Sequence, residues 1–202
     1  MRRTCLILFF FLTASISRAE VQLLVKPESK VWLEGDSTLH HFSSTATQFQ
    51  THARLNPSAP AGPKLLDAIQ NHHLEAFEFS IPAAGLKSGK SGLDKNMMAA
   101  LKAVKYPVIT FRMTDYQIEL SQDPRSFLLK ARGVLFVAGK EQDILLSARG
   151  FAQGGEGEVG GTQELLMTDY GIKPPSLMLG AIKTENKILI RYRLELVLEQ
   201  KK

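Results

Sequence analysis

Ile188-Leu-Ile-Arg-Tyr-Arg-Leu-Glu-Leu-Val-Leu-Glu199 alternates with a period of two. Ile188, Ile190, Tyr192, Leu194, Leu196 and Leu198 share one face. Arg191, Arg193, Glu195 and Glu199 share the other, with Leu189 and Val197 as apolar exceptions. Successive side chains of a strand point to opposite sides, so this is a strand with one buried and one largely wet face. Upstream, residues 108–120, 127–138 and 144–151 are rich in β-branched and aromatic residues and predict further strands, with a hairpin turn at Gly139-Lys140. Residues 31–35 and 42–55 predict early strands, and 74–81 predicts another with Phe77 and Phe79 on one face. Three prolines and a glycine make 56–64 a loop, and 65–71 is a candidate helical turn. Five glycines predict a long, mobile hairpin loop at 153–162. The whole is a mainly β chain of about eight strands, either a sandwich or an up-and-down barrel, and periodicity does not choose between them. A barrel of about eight strands encloses room for its own side chains or for one small ligand.

One main helix is predicted near 91–105, inside Ser88-Gly-Lys-Ser-Gly-Leu-Asp-Lys-Asn-Met-Met-Ala-Ala-Leu-Lys-Ala-Val-Lys-Tyr-Pro-Val-Ile-Thr-Phe111. Ser91 and Asp94 resemble a capping box, and Leu93, Met97, Leu101 and Val104 recur at helical spacing, which predicts one buried face. Pro107 is expected to end the helix, because it lacks an amide proton and holds Tyr106 extended. The adaptable side chains of Met97 and Met98 suit a surface that accommodates a variable apolar guest. The same pattern also fits an ordinary core-facing helix.

Arg2 and Arg3, the apolar run 5–12 and Ser17-Arg18-Ala19 have the form of an export signal, with cleavage expected after Ala19. The run is too short to span a bilayer, which takes about 20 apolar residues. Cys5, the one cysteine, opens the apolar run and leaves with the signal, so the mature chain is expected to hold no disulfide or thiolate. Loss of Arg2, Arg3 and Arg18 takes the formal charge from +5 to +2. No long Lys/Arg block remains, so nucleic acid is not an expected partner. Residues 20–202 suffice for one domain, and no second long apolar segment suggests an integral membrane span in the mature chain.

Three apparent motifs fail on context. Gly155-x-Gly157-x-x-Gly160 has no helix after it, and Glu156 and Glu158 would repel a pyrophosphate. Gly85-Leu-Lys-Ser-Gly-Lys-Ser91 is one residue too short for a phosphate loop. Ser37 and His40, with Asp36, stand too close in sequence for a nucleophilic relay. The pairs His40-His41 and His72-His73, with His52 between, could supply zinc ligands only if separate strands brought them together, since neighbours on one strand diverge. Structural or solvent-exposed histidine is the simpler reading, and a polar contact for a ligand head is a third.

Four blocks in order resemble the YceI-like, or polyisoprenoid-binding, family of exported bacterial proteins. They are Val31-Trp-Leu-Glu-Gly-Asp-Ser-Thr-Leu-His40; the 88–111 block with Asp94-Lys95 and Lys105-Tyr106-Pro107; the strand pair around Gly133 and Gly139; and Met167-Thr-Asp-Tyr-Gly-Ile-Lys-Pro-Pro-Ser-Leu-Met-Leu-Gly180. The resemblance covers roughly residues 29–198. It implies an extended lipocalin-like antiparallel barrel whose helix sits beside an elongated apolar pocket for a long isoprenoid chain, such as a quinone tail or a polyprenyl lipid. It makes His40 and Ser37 candidates for the head group, and Trp32, Phe42, Phe79, Met97, Leu101, Tyr106 and Phe111 candidates for the apolar lining. Each of these also has a reading as plain core. Asp94 and Lys95 match the family's helix-start pair and read as structural. The double proline after Gly171-Ile-Lys departs from the better-studied members and predicts a rim loop or edge break rather than a central strand.

The resulting expectation is a periplasmic or secreted carrier with no catalytic residues, metal or cofactor, binding an isoprenoid-type lipid or quinone, with strand edges that permit a homodimer. Two rivals stand beside it. One is an envelope stress protein with a filled barrel, acting through its surface. The other is a histidine-based metalloenzyme, which needs three converging imidazole or carboxylate groups.

Overall fold

The computed structural model describes residues 21–56, 64–177 and 181–200. The expected leader and most of the proline-rich loop lie outside these residues. The strands are β1 (Val21–Val25), β2 (Lys30–Ser37), β3 (His41–Ala46), β4 (Gln50–Leu55), β5 (Leu74–Pro82), β6 (Leu86–Lys87), β7 (Val108–Leu120), β8 (Ser126–Val137), β9 (Lys140–Gln153), β10 (Glu156–Leu166), β11 (Ser176–Leu177) and β12 (Ile182–Gln200), with helices α1 (Leu65–Gln70) and α2 (Ser91–Ala100). Among the described residues, no helix is long and apolar enough to cross a membrane.

β12 contains the alternating stretch at 188–199. Ile188, Ile190, Tyr192, Leu194 and Leu196 face an internal cavity. Outside, Arg191 pairs with Glu34, and Arg193 with Glu158 and Glu195. From β12 the antiparallel ladder runs one way through β10, β9, β8, β7, β5 and β4, and the other way through β2, β3 and β6. Its two ends meet. Gln50 pairs with Ser80 and Thr51 with Phe79, while Ala46 pairs with Leu86 and Thr45 with Lys87. Between these registers the Thr47 amide donates to the Gly85 carbonyl at 2.9 Å. Thus β3 and β4 form one bent strand, β5 and β6 form another across a 3-10 turn at Ala83–Gly85, and the two pair along their length. β1 and β2 likewise follow each other along β12. Three of the twelve strands therefore continue another across a bend, and β11 is a two-residue stub. The barrel has eight staves, and the sheet closes instead of opening into a sandwich.

α1 floors one end. Leu65, Ala68 and Ile69 are buried, the Leu65 amide donates to the Gly154 carbonyl at 2.8 Å, and the Tyr116 hydroxyl donates to the Ile69 carbonyl at 2.9 Å. α2 lies at the other end, with the β2–β3 and β8–β9 turns and a 3-10 turn at Met167–Tyr170. Residues 171–175 form a connecting loop there, as the double proline predicts.

Three local expectations are corrected. The segment 153–162 is no mobile loop: the chain turns at Gly154-Gly155 and enters β10 at once. Its later glycines serve close approach, since a Cβ at Gly157 would lie 2.6 Å from the Leu65 side chain, and one at Gly161 would lie 2.5 Å from the Tyr192 hydroxyl. α2 stops at Ala100, seven residues before Pro107, where Lys102 turns to a φ of 53°. Val104 is consequently fully exposed instead of buried. Finally, Ser91 does not cap the helix. Asp94 instead accepts the Ser88 amide at 2.8 Å and its hydroxyl at 2.5 Å, which lowers the Asp94 pKa and fixes the loop that enters α2.

Candidate ligand-binding cavity

The inward faces of the staves do not fill the barrel. They leave a cavity of about 380 Å³ running from the α1 floor to α2. Its lower part is walled by Leu23, Ile69, Leu129, Ala148, Val159 and Leu196, and its middle by Phe79, Phe111, Met113, Ala131, Leu146 and Ile190. Leu93, Met97, Ala100 and Leu101 roof it from α2 and the turn behind it. None of α2's residues is fully buried, because the helix rests over open space rather than on packed side chains.

Polar groups gather near the roof. Ser37, His40, Asn96, Gln163 and Thr184 border the cavity there, as do Tyr170 and Tyr192, whereas Tyr116 borders it near the floor. A split in the wall accounts for part of this. β9 and β10 pair only as far as Ala148 and Gly161, then diverge towards the roof. Tyr192 crosses the split, its hydroxyl donating to the Ser147 carbonyl at 3.2 Å. The Met167–Tyr170 turn packs beside β9, held by the Gln142 amide donating to the Asp169 carbonyl at 2.8 Å. Burial pushes the Tyr192 and Tyr170 phenols up to about 12, with Asp169 adding to the effect at Tyr170. Both are therefore protonated, and able to donate, at neutral pH.

The YceI-like domain family matches residues 24–196 of the sequence. The chain belongs to the YceI-like family. No curated protein sequence matches it. Among solved structures it is similar to BcnA of Burkholderia cenocepacia, at 13% identity over 85% of this chain and 98% of that one, with a TM-score of 0.62. It is also similar to a polyisoprenoid binding domain from Saccharophagus degradans implicated in plant cell wall breakdown, at 10% identity over 90% and 100% of the two chains, with a TM-score of 0.63. A YCEI protein of Campylobacter jejuni is 15% identical over 100% and 99%, with a TM-score of 0.53. At such identities the likeness is one of fold.

In this YceI-like barrel, eight of the nine residues singled out from the sequence border the cavity: Trp32, Ser37, His40, Phe42, Phe79, Met97, Leu101 and Phe111. Tyr106 does not. It lies on the turn between α2 and β7, its ring edge-on to Phe136 at 6.0 Å and covering Gly139, where a Cβ would come within 2.4 Å. Phe136 has the parity opposite to Leu135, which lines the cavity, so Tyr106 packs on the outside of the wall. Trp32 borders the cavity, yet its indole N–H donates to Glu34 at 2.9 Å, where Arg191 also binds. Ser37 builds the β2–β3 turn, donating to the His40 carbonyl at 2.9 Å and accepting from the His40 amide at 3.2 Å. The buried phenols and the Asn96 and Gln163 amides were missed as site residues. Tyr192 stood out as inward-facing by its period, but nothing in the local pattern marks Tyr170 or Asn96.

The histidines do not converge. His40 and His41 sit at the roof end, where His41 pairs with Asp36 at 3.0 Å, whereas His72 packs tilted against Tyr116 near the floor, 4.9 Å between ring centres. Among the described residues, no three His, Cys, Asp or Glu side chains are arranged to hold a metal ion.

Proposed function

We propose that this YceI-like protein is a non-enzymatic carrier that holds an isoprenoid-type lipid, a quinone or a polyprenyl lipid, in its barrel. The observation that carries this reading is the elongated apolar cavity of about 380 Å³, within the range of about 300–1,000 Å³ usual for ligand pockets. Burying an apolar tail contributes about 0.8 kcal/mol per methylene-sized group, so affinity needs no catalytic machinery. The likeness to a polyisoprenoid binding domain supports the choice of ligand class. The tail runs down the lower lumen and the head stays near the roof, within reach of His40. Ser37 contributes mainly by shaping the turn that presents His40. Export through the leader, with cleavage after Ala19, puts the carrier in the periplasm, where two copies pair as a homodimer.

Solvent extraction of the protein purified natively from a periplasm, followed by lipid mass spectrometry, tests the proposal. A stoichiometric isoprenoid supports it and names the cargo. An empty protein that takes up neither a quinone nor a polyprenyl lipid refutes it. The rival reading as a filled barrel acting through its surface requires a packed lumen, which the open cavity does not offer.

A further inference from the structure

Positive charge is concentrated at the roof end of the barrel. Between Leu86 and Val108 the chain carries Lys87, Lys90, Lys95, Lys102 and Lys105 against one carboxylate, Asp94, which is tied to Ser88. All five lysines are exposed, and none lies within ion-pair distance of a carboxylate among the described residues, whereas Lys26, Lys130 and Lys187 pair with glutamates. Two more lysines join from neighbouring turns. The Lys102 ammonium donates to the Gly171 carbonyl at 3.3 Å, a Cβ at Gly171 would lie 3.8 Å from the Lys140 side chain, and Lys173 follows two residues on. Carboxylates are fewer at this end: Asp36 is engaged by His41, and Glu141, Asp143, Asp169 and Glu185 remain. No lysine borders the cavity among the described residues, so the charge lies outside and the space beneath it is apolar. The mature chain is expected to carry only +2, so this excess is a matter of placement rather than of composition.

Apolar side chains stand among these charges. Behind α2 the chain makes a turn in which the Ala103 amide donates to the Met98 carbonyl at 3.0 Å, and the Lys105 and Tyr106 amides donate to the Lys102 carbonyl, both at 2.9 Å. That turn buries Ala103 and presents Val104, 100% exposed, between Lys102 and Lys105. Leu39, 65% exposed, tips the β2–β3 turn at the same end. One exposed valine is ordinary on a protein surface. Here a valine and a leucine stand among unpaired lysines, at the end of the barrel where an apolar cavity is covered by a helix with no fully buried residue. That combination fits the boundary of a bilayer, where lysine stems reach up to phosphates while apolar tips enter the acyl region. We propose that the roof end of the barrel docks on an anionic lipid surface, with the lysines of 87–105 on the head groups and Val104 and Leu39 in the interface. The docked barrel has the upper end of its cavity beside the lipid. The inference goes beyond the carrier reading and does not depend on it, since it rests on the outer surface and is measured without cargo.

The test is co-sedimentation of the natively purified protein with mixed phosphatidylglycerol–phosphatidylcholine vesicles at low salt, against vesicles of phosphatidylcholine alone. Wild type should bind the anionic vesicles and not the neutral ones. Each lysine near an anionic surface strengthens binding about fivefold, so Lys95→Gln combined with Lys105→Gln should bind about twenty-five-fold more weakly. Val104→Ser should bind about tenfold more weakly, having lost its apolar tip. Lys30→Gln combined with Lys64→Gln removes the same charge from the floor half and should bind as wild type does. All of these side chains are exposed, so every variant should melt with wild type. In about 1 M salt, where the screening length falls to about 3 Å, wild-type binding should fall more than about a hundredfold. Equal binding to neutral vesicles, equal losses for the two lysine pairs, or no loss for the roof pair would each overturn the proposal. Failure of wild type to bind anionic vesicles would overturn it too, leaving an acidic protein as the partner of the patch and the carrier reading untouched. A protein that docks as described but holds no quinone or polyprenyl lipid would refute the carrier reading and leave this one standing.

Discussion

Replacing Ala131 by phenylalanine tests whether a lipid tail occupies the lower lumen. Ala131 faces the cavity at mid-height on β8, paired with Leu146 on β9 and Tyr116 on β7. Phe127, which is 1% exposed and packs at the floor, lies four residues below it on the same strand. At about 3.3 Å per residue those four positions span about 13 Å of strand, and barrel tilt reduces this to about 10 Å along the axis. A phenyl ring at 131 projects into open space, so it should avoid most of the about 1–3 kcal/mol that overpacking a filled core costs. It should, however, shut at least one five-carbon isoprene unit out of the lower chamber. At about 0.8 kcal/mol per methylene-sized group the loss is about 4 kcal/mol, close to a thousandfold in Kd. A tail that folds back into the upper chamber would recover part of this, so about a hundredfold is the smallest loss expected. Trp32, the one tryptophan of the chain, borders the cavity and gives a direct signal, because a bound quinone should quench it. Titration with quinones of increasing tail length should show wild-type affinity climbing with each unit and the Ala131→Phe series levelling off early. A short-tailed quinone should bind both proteins alike. If the long-tailed quinone bound a folded Ala131→Phe protein with wild-type affinity, the tail could not lie below Ala131, and the head-up, tail-down arrangement would be wrong.

Gly150→Ala should destabilise the barrel by about 1–3 kcal/mol in urea denaturation, because the new Cβ would sit 2.1 Å from the buried Phe127 ring; an unchanged midpoint would mean that Phe127 moves aside freely. Ser44→Ala should raise stability by about 1 kcal/mol, since the Ser44 hydroxyl is buried with no partner among the described residues, and a lower melting temperature would reveal one. Glu34 accepts Arg191 at 2.8 Å and the Trp32 indole at 2.9 Å, and these bonds, Arg191 first, hold its carboxyl below the ordinary value of 4.5. A pKa lowered in the folded state stabilises the fold above the unfolded value and is lost as pH falls through the folded one. Wild type should therefore lose stability below about pH 4.5 more steeply than Glu34→Gln in melts across that range; parallel curves would show that the trio adds nothing.

The staves were legible because burial of one face imposes a period of two. β12 shows this most fully, since its inward row meets an apolar cavity and its outward row meets charged partners on β2 and β10. Barrel rather than sandwich was not legible from that period, because closure depends on two bends, at 47–49 and Ala83–Gly85, that carry no strong local signal. The glycines of 153–162 misled for a related reason. Glycine is common in turns because it tolerates unusual backbone angles, but Gly157 and Gly161 are extended residues that lack a side chain so that Leu65 and Tyr192 can pass over them. Composition records the missing Cβ and says nothing of which neighbour needs the space.

The same limit explains which part of the site could be read in advance. Phe42, Phe79, Met97, Leu101 and Phe111 line the cavity, and all are large apolar residues on elements with a clear period. Tyr106 has the same character but follows a helix that ends early, so its ring falls outside the wall, where parity no longer carries from the strand. Tyr170 lay in a recognised stretch and drew no attention, since a tyrosine before a glycine resembles any turn. Its place on the cavity wall arises only when β9 and β10 separate and the Met167–Tyr170 turn packs beside them. Apolar walls are thus written in the periodicity of single strands, because any cavity lined by staves must repeat with the staves. Polar groups enter the wall where the repeat is interrupted, and in this barrel one such place is the split between β9 and β10.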